Sequence, residues 1–379
     1  MSTPFENVKD WILKSGIVIT DKQDENNGGV YSFYDINNQK YGFLYPEITG
    51  YSISAFCFLN QIEKDEKYIK LAKTSSDWII KLHETFGAII QGIDDENESR
   101  KHVAYSFDAA ICAKGILDYY NLTGDKQYLE FAKKLVSWLE GAVSEQGTIL
   151  PYMDLKSKKF QESDEVWYKK WGCLHVKTSI PFFQLYEITR EKNYLDYAEK
   201  ICNTYTRFQN KDGSFSLNEN SKIINLHTMS YALEGLFYAY NATKNKKYLQ
   251  SIENGLDWCK NQINDDGSIS LWFNSKYKSK AVYPIAQIIR LMILFDKLSN
   301  DNKFLQTILK LRSFMVTLQA SNKNNPINGG FYEEYYKSMF SWKKRLKLNS
   351  WGSLFSMQAL YWFDNFEKIN FNDSILSIY

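Results

Sequence analysis

Two kinds of stretch alternate along the chain, Lys-rich amphipathic ones and nearly continuous apolar ones. Five amphipathic stretches share one signature: "KYIKLAKTSSDWI", "QYLEFAKKLVSWL", "NYLDYAEKICNTY", "KYLQSIENGLDWC" and "KFLQTILKLRSFM". Their anchor aromatics, Tyr68, Tyr128, Tyr194, Tyr248 and Phe304, recur every 54 to 66 residues. A small or aliphatic residue lies four positions on (Ala72, Ala132, Ala198, Ile252, Ile308), and an aromatic lies about ten on (Trp78, Trp138, Tyr205, Trp258, Phe314). Those offsets keep the side chains on one helical face, so each stretch predicts an amphipathic helix. A glycine-marked turn follows each helix, at Gly87, Gly147, Gly213, Gly267 and Gly329. A short aromatic stretch and a second, more apolar helix then lead to the next anchor.

The repeating unit is a helical hairpin, and five complete hairpins leave one helix over at each end. The C-terminal "NSWGSLFSMQALYWFDNF" has the character of an apolar first helix, and the N-terminal "FENVKDWILKSG" that of a second. An open array would need polar capping repeats at its ends, whereas these halves complement each other. The pattern predicts an all-α (α/α)6 toroid in one domain spanning 1–379. Its apolar helices form the inner wall and its amphipathic helices the outer wall.

Over essentially its full length the chain resembles the six-hairpin glycosidase-like toroids, a group of glycoside hydrolases, polysaccharide lyases and sugar epimerases. "QNKDGSF" is also similar to the repeat motif of terpenoid-cyclase toroids, so the ring alone does not select a chemistry. The resemblance implies an active cavity at the end where the inner helices begin. Helix N-termini independently favour anionic groups.

Counting back from the anchors gives the equivalent inner-helix positions. Twenty-one residues before each anchor stand Glu47, Phe107, Cys173, His227 and Tyr283. Seventeen before, one turn deeper, stand Tyr51, Ile111, Lys177, Tyr231 and Gln287. Fourteen before stand Ser54, Lys114, Ile180, Glu234 and Arg290. Glu47 with Tyr51, His227 with Tyr231 and Tyr283 with Gln287 are i, i+4 pairs on one face. Charges as deep as Glu234 and Arg290 need partners or a solvated cavity; a buried ion pair between neighbouring helices competes with substrate contact. Of four histidines, His102, His175 and His227 fall at or just before inner-helix starts, and His83 closes an outer helix. Asp108 in "VAYSFDAA", Trp171 in "KKWGCLHVKT", Trp351 in "NSWGS" and Tyr45 in "LYPEITGY" complete the candidate rim. A rim tryptophan suits the apolar face of a pyranose or, equally, a plug between helices.

Composition narrows the partners. Aromatic residues make up 16% of the chain, with 10 Trp, 27 Tyr and 24 Phe, enough to fill a helical core and line a sugar cleft. Lys+Arg of 46 against Asp+Glu of 44 leaves no basic footprint for nucleic acid. No secretory leader or membrane-length apolar run is visible. The 5 scattered cysteines form no CxxC pair and read as reduced thiols, so a cytoplasmic protein is expected. The histidine spacing lacks a metal-ligand pattern, and no cofactor motif is present; neither metal nor cofactor is expected. The acidic run "DDENE" at 94–98 follows Gly92 and reads as a solvated loop.

Two chemistries on a carbohydrate fit these candidates. Hydrolysis needs two carboxylates about the scissile bond, for which Glu47 and Asp108 stand on adjacent inner helices. Epimerisation or β-elimination of a uronate needs a base and a proton donor. Glu47, His227, Tyr51 and Tyr231 would serve there, with Lys177 or Arg290 neutralising the sugar carboxylate. A non-catalytic glycan-binding or scaffold toroid is the alternative outside enzymes. An isoprenoid cyclase would need a DxDD-type acid that the chain lacks. Oligomeric state is not legible.

Overall fold

The computed structural model describes residues 2–94, 96–322, 326–339 and 341–379. Its helices are α1 (Pro4–Lys14), α2 (Pro46–Glu63), α3 (Glu66–Phe86), α4 (Ser106–Thr123), α5 (Lys126–Glu140), α6 (Ile180–Thr189), α7 (Lys192–Thr206), α8 (Leu226–Thr243), α9 (Lys246–Asn261), α10 (Val282–Ser299), α11 (Leu305–Thr317), α12 (Ser350–Asp364) and α13 (Phe371–Ser377). The even-numbered helices from α2 to α12 touch one another in sequence, and α12 returns to α2, closing an inner ring. Each packs its outer partner, and α12 pairs with α1 from the opposite end of the sequence. The fold is the expected (α/α)6 toroid.

Burial follows the two sequence patterns. Every residue from Pro46 to Asn60 on α2 is buried, as an all-round apolar helix must be. Its outer partner α3 buries a single stripe that includes Tyr68, Ala72, Trp78 and Ile79. Inner helices end in left-handed residues, at Lys64, Gly124, Arg190, Lys244 and Asn300. At three of these turns the next residue, Asp65, Asp125 or Asn245, caps the outer helix by accepting from a backbone N–H. The third inner wall differs. Cys173–Ser179 is a 3-10 stretch preceding α6, and Pro181, in the first turn of α6, has no N–H to bond back to Lys177.

The glycine turns do more than reverse the chain. Gly28, Gly147, Gly213, Gly267 and Gly329 all have positive φ. A Cβ on any of them would strike a backbone carbonyl of the next outer helix: Thr74, Lys200, Asn254, Lys310 and Asn7 respectively. Each turn therefore latches one outer helix onto its neighbour. The Gly329 latch, on Asn7 of α1, joins the last hairpin to the first. Gly87 also has positive φ but meets nothing; it is a helix cap, and there the hydroxyl of Tyr128 on α5 instead donates to Asp77 of α3 at 2.7 Å.

Short antiparallel pairs that the sequence did not announce sit above the inner-helix starts. Val103–Tyr105 pairs with Tyr152–Asp154, Ile224–Asn225 with Trp272–Phe273, Ser279–Ala281 with Glu334–Lys337, and Lys347–Asn349 with Phe33–Asp35. The opposite end is plugged by the segment around α13. Tyr238 donates to the Leu376 carbonyl at 3.2 Å, and Gln358 to that of Ser377 at 2.8 Å. All five cysteines are free and buried. Among the described residues no helix is long and apolar enough to cross a membrane.

The latch can be separated from ordinary turn strain. Gly87→Ala costs only the left-handed penalty, whereas Gly329→Ala must also displace the Asn7 carbonyl, adding about 1–3 kcal/mol. Urea unfolding of the two variants should show that excess, and equal losses would rule the latch out.

Candidate active site

Glu47, Phe107, His227, Tyr283 and Trp351 are each the second residue of an inner helix, and Cys173 opens the 3-10 stretch. The register therefore sets a circle of side chains around one open end of the ring. A cavity of about 330 Å³ lies there, lined by Tyr45, Glu47, Phe107, Asp108, His175, His227, Tyr231, Tyr283 and Trp351 among others. Tyr105, Trp167, Tyr168, Gln91, Glu333 and Asn349 also line it and come from the strands and loops of the rim.

Two carboxylates dominate one wall. Pro46 starts α2 and places Glu47 in its first turn, where Glu47 is only 5% exposed. Asp108 is 3% exposed on the adjacent α4. The Tyr45 hydroxyl approaches Asp108 Oδ1 at 3.5 Å and also faces Glu47. The indole N–H of Trp351 donates to Glu47 Oε1 at 3.3 Å, reaching across from α12. Asp108 Oδ2 is buried with no protein partner. Burial raises the Glu47 pKa to about 7, against the opposing pull of Tyr45, Trp351 and the distant Lys177 charge. Burial, then the charge of Glu47, pushes Asp108 well above the usual carboxylate range.

The opposite wall is imidazole and phenol. The His227 ring sits 4.2 Å from that of Tyr231 and 4.5 Å from that of Tyr283. Its Nδ1 lies 2.6 Å from Gln287 Oε1, while Gln287 Nε2 donates to Glu234 Oε1 at 3.3 Å. Because Gln287 spends its amide N–H on Glu234, its oxygen must accept from His227. The His227 proton is thus on Nδ1, and Nε2 carries a lone pair. Burial lowers the His227 pKa to about 3, so the ring is neutral at physiological pH. His175 is likewise held near 3 by burial, and neither ring nitrogen has a partner.

Beneath the cavity lies an ionic floor. Lys177 Nζ contacts Glu234 Oε2 at 2.6 Å and Arg290 contacts Oε1 at 2.7 Å, all of them essentially unexposed. Arg290 also donates to Gln358 at 2.8 Å and to the Tyr379 carbonyl at 2.7 Å. Tyr51 and Tyr231 flank the Lys177 ammonium at 4.8 and 4.7 Å. Burial brings the Lys177 pKa down to about 8. Tyr51, Lys177, Gln287 and Arg290 thus stand below the cavity rather than on its lining. Glu234 and Arg290 form the buried pair that the sequence offered as one alternative, with Lys177 as a third member.

Two further candidates lie apart. His102 is exposed at the end of a 3-10 turn, Glu98–His102. Trp171 stacks on Phe208 with ring centres 5.7 Å apart, away from the cavity lining. Within the acidic loop, Asp94 pairs with Arg100 at 2.8 Å and Glu96 and Glu98 are exposed, while Asp95 lies outside the described residues.

A family model, Glycosyl hydrolase family 76, matches residues 17–181, which hold Glu47 and Asp108. No curated protein matches the chain. Solved structures share the whole ring. Cellobiose 2-epimerase from Bacillus thermoamylovorans is 13% identical with a TM-score of 0.73, covering 96% of this chain and 99% of that one. An unsaturated glucuronyl hydrolase specific for heparin is 12% identical at 0.72, covering 97% and 98%. A D-mannose isomerase is 11% identical at 0.74, covering 95% and 96%. The chain has the six-hairpin glycosidase-like fold.

The tautomer is directly observable. With nitrogen-15-labelled histidine, His227 should keep a protonated Nδ1 and a bare Nε2 from about pH 5 to 8, because its pKa lies near 3. A resonance titrating near the ordinary histidine pKa of about 6.5 would overturn the assignment.

Proposed function

We propose that the chain is a glycoside hydrolase acting on a neutral sugar chain, with Asp108 as general acid and Glu47 as base or nucleophile. The observation that carries this is the coupled pair of cavity carboxylates joined through Tyr45. Two carboxyl groups that face one Tyr45 hydroxyl in a desolvated wall cannot both ionise readily, so the pair retains a proton near neutrality. Glu47 receives the Trp351 N–H and the field of Lys177, which favour its ionised form. Asp108 has a buried, unpartnered oxygen and the repulsion of Glu47, which favour its protonated form. That division is what glycoside cleavage requires. The acid protonates the departing oxygen, and the carboxylate activates water or attacks the anomeric carbon as positive charge develops on the ring. Tyr45, Trp351 and Tyr231 supply apolar faces and hydroxyls for the sugar. Both carboxylates also fall inside the segment similar to glycosyl hydrolase family 76.

The uronate branch loses its support. Lys177 and Arg290 are committed to Glu234, and no Lys or Arg is among the described residues that line the cavity. A sugar carboxylate would face Glu47, Asp108 and Glu333 instead. Epimerisation of a neutral sugar keeps one specific observation in its favour, the bare Nε2 of His227 beside Tyr231 and Tyr283. It requires a base next to a carbonyl carbon and no bond cleavage between sugars.

Product analysis separates these chemistries. Manno-, malto- and cello-oligosaccharides, with heparin oligosaccharides as the acidic control, should yield new reducing ends from a neutral ladder. Solvent deuterium uptake without cleavage would establish epimerisation, and absorbance from an unsaturated uronate would establish elimination. Glu47→Gln should lose at least about a hundredfold in kcat on every glycoside. Asp108→Asn should lose as much on natural linkages yet spare aryl glycosides whose leaving group needs no proton. Unchanged turnover in Glu47→Gln would end the assignment.

The pH profile carries a sign. Glu47 must be ionised to act, so activity rises with pH through about 7, its raised pKa. Trp351→Phe removes a donor to the ionised form, which raises that pKa further, so the acid limb should move to higher pH. A shift to lower pH, or none, would detach Trp351 from the carboxylate.

A further inference from the structure

From Tyr105 in the cavity wall a row of aromatic rings leads outward across the rim. Tyr105 meets Tyr168 at 5.8 Å, Tyr168 meets Trp167 at 5.5 Å, Trp167 meets Trp272 at 6.3 Å and Trp272 meets Tyr277 at 6.5 Å between ring centres. The row crosses from one hairpin's rim segment to that of another two hairpins on. Trp167 is 37% exposed, Tyr168 41% and Tyr277 63%, among the most exposed large apolar side chains described. Side chains of this size are normally withdrawn from water, and a connected exposed row marks an interaction surface.

We propose that this row is a binding platform for an extended neutral oligosaccharide whose end enters the cavity. The proposal rests on the hydrolase reading for the cavity and adds that the substrate is a chain rather than a disaccharide. Continuity selects this occupant, because Trp167 and Tyr168 line the cavity and also begin the exposed row. Charges of both signs pair off beside Trp167, and at the far end the Lys276 ammonium lies 5.6 Å from the centre of the Tyr277 ring. Lys169 pairs with Glu165 at 2.8 Å, and Lys170 pairs with Asp164. An uncharged ligand with apolar ring faces and hydroxyl edges fits such a surface. The rings are held in place by backbone structure. Trp167 opens the 3-10 turn Trp167–Lys169, whose Lys169 carbonyl accepts from the Ser163 N–H at 2.8 Å. Trp272 lies in a strand paired with Asn225.

The test is binding, read by calorimetry without turnover, of manno-, malto- and cello-oligosaccharides from disaccharide to octasaccharide to Glu47→Gln with and without Trp272→Ala and Tyr277→Ala. One ladder should bind more tightly with length, and the added double substitution should weaken the octasaccharide about tenfold while leaving the disaccharide unchanged. Trp272→Phe, which keeps a ring, should retain most of the affinity, and unchanged circular dichroism guards against misfolding. A loss independent of length, no loss, or no ladder bound at all would overturn the platform. So would a change in sedimentation in place of one in glycan affinity, which would make the row a protein contact. Length-dependent binding in a protein without hydrolytic activity would leave the platform standing and remove the hydrolase reading; hydrolysis without length dependence would do the reverse.

Discussion

The floor of the cavity depends on one buried carboxylate. Glu234 holds Lys177 from the third inner wall and Arg290 from the fifth while standing on the fourth, and Arg290 carries the connection to Gln358 on the sixth and to Tyr379 beneath. Two cations and one anion enclosed together tolerate no missing member, since an unpaired buried charge costs about 3–5 kcal/mol. The same balance reaches upward. Glu234 occupies the amide of Gln287, Gln287 occupies Nδ1 of His227, and the imidazole is left with its lone pair free.

The floor also decides what the rim can be. With Lys177 and Arg290 both held by Glu234 below, the carboxylates above are left in a desolvated wall, where hydrogen-bond donors and, for Glu47, the more distant field of Lys177 give only partial relief. Their raised proton affinity is thus a property of the whole ring rather than of the two side chains. Had Lys177 stood one turn higher, Glu47 would be an ordinary paired carboxylate and its proton affinity would fall. Position along a helix, about 5.4 Å per turn, separates a charge that holds the fold from a charge that would quench the chemistry.

That same step marks where sequence reasoning succeeded and where it stopped. The anchor aromatics fixed the register so well that Glu47, Phe107, His227 and Tyr283 occupy identical positions in their helices. Apolar periodicity is a sum over many residues and survives variation at any one of them. Depth was harder to read. Tyr51, Lys177 and Gln287 share a face with the rim residues above them, and only their partners reveal that they are enclosed, whereas Tyr231 at the same level reaches the cavity. Trp171 and His102 precede inner walls in sequence but leave the ring before reaching it. Tyr105, Trp167, Tyr168, Glu333 and Asn349 were missed because strands and rim loops obey no repeat. The clustered aromatics and lysines of "VWYKKW" between two turns were the one signal available.

The glycine latches have an evolutionary reading. Five glycine contacts on backbone carbonyls, with tyrosine hydroxyl joints at Asp77 and Asn203, set the spacing of the outer belt and so the diameter of the ring. Variation is then confined to what the belt does not touch, namely one side chain per inner helix at the second position and the loops above it. A lineage with this architecture can exchange those residues one at a time, like numerals on a clock face. Each exchange alters the lining of the cavity while the frame keeps its dimensions.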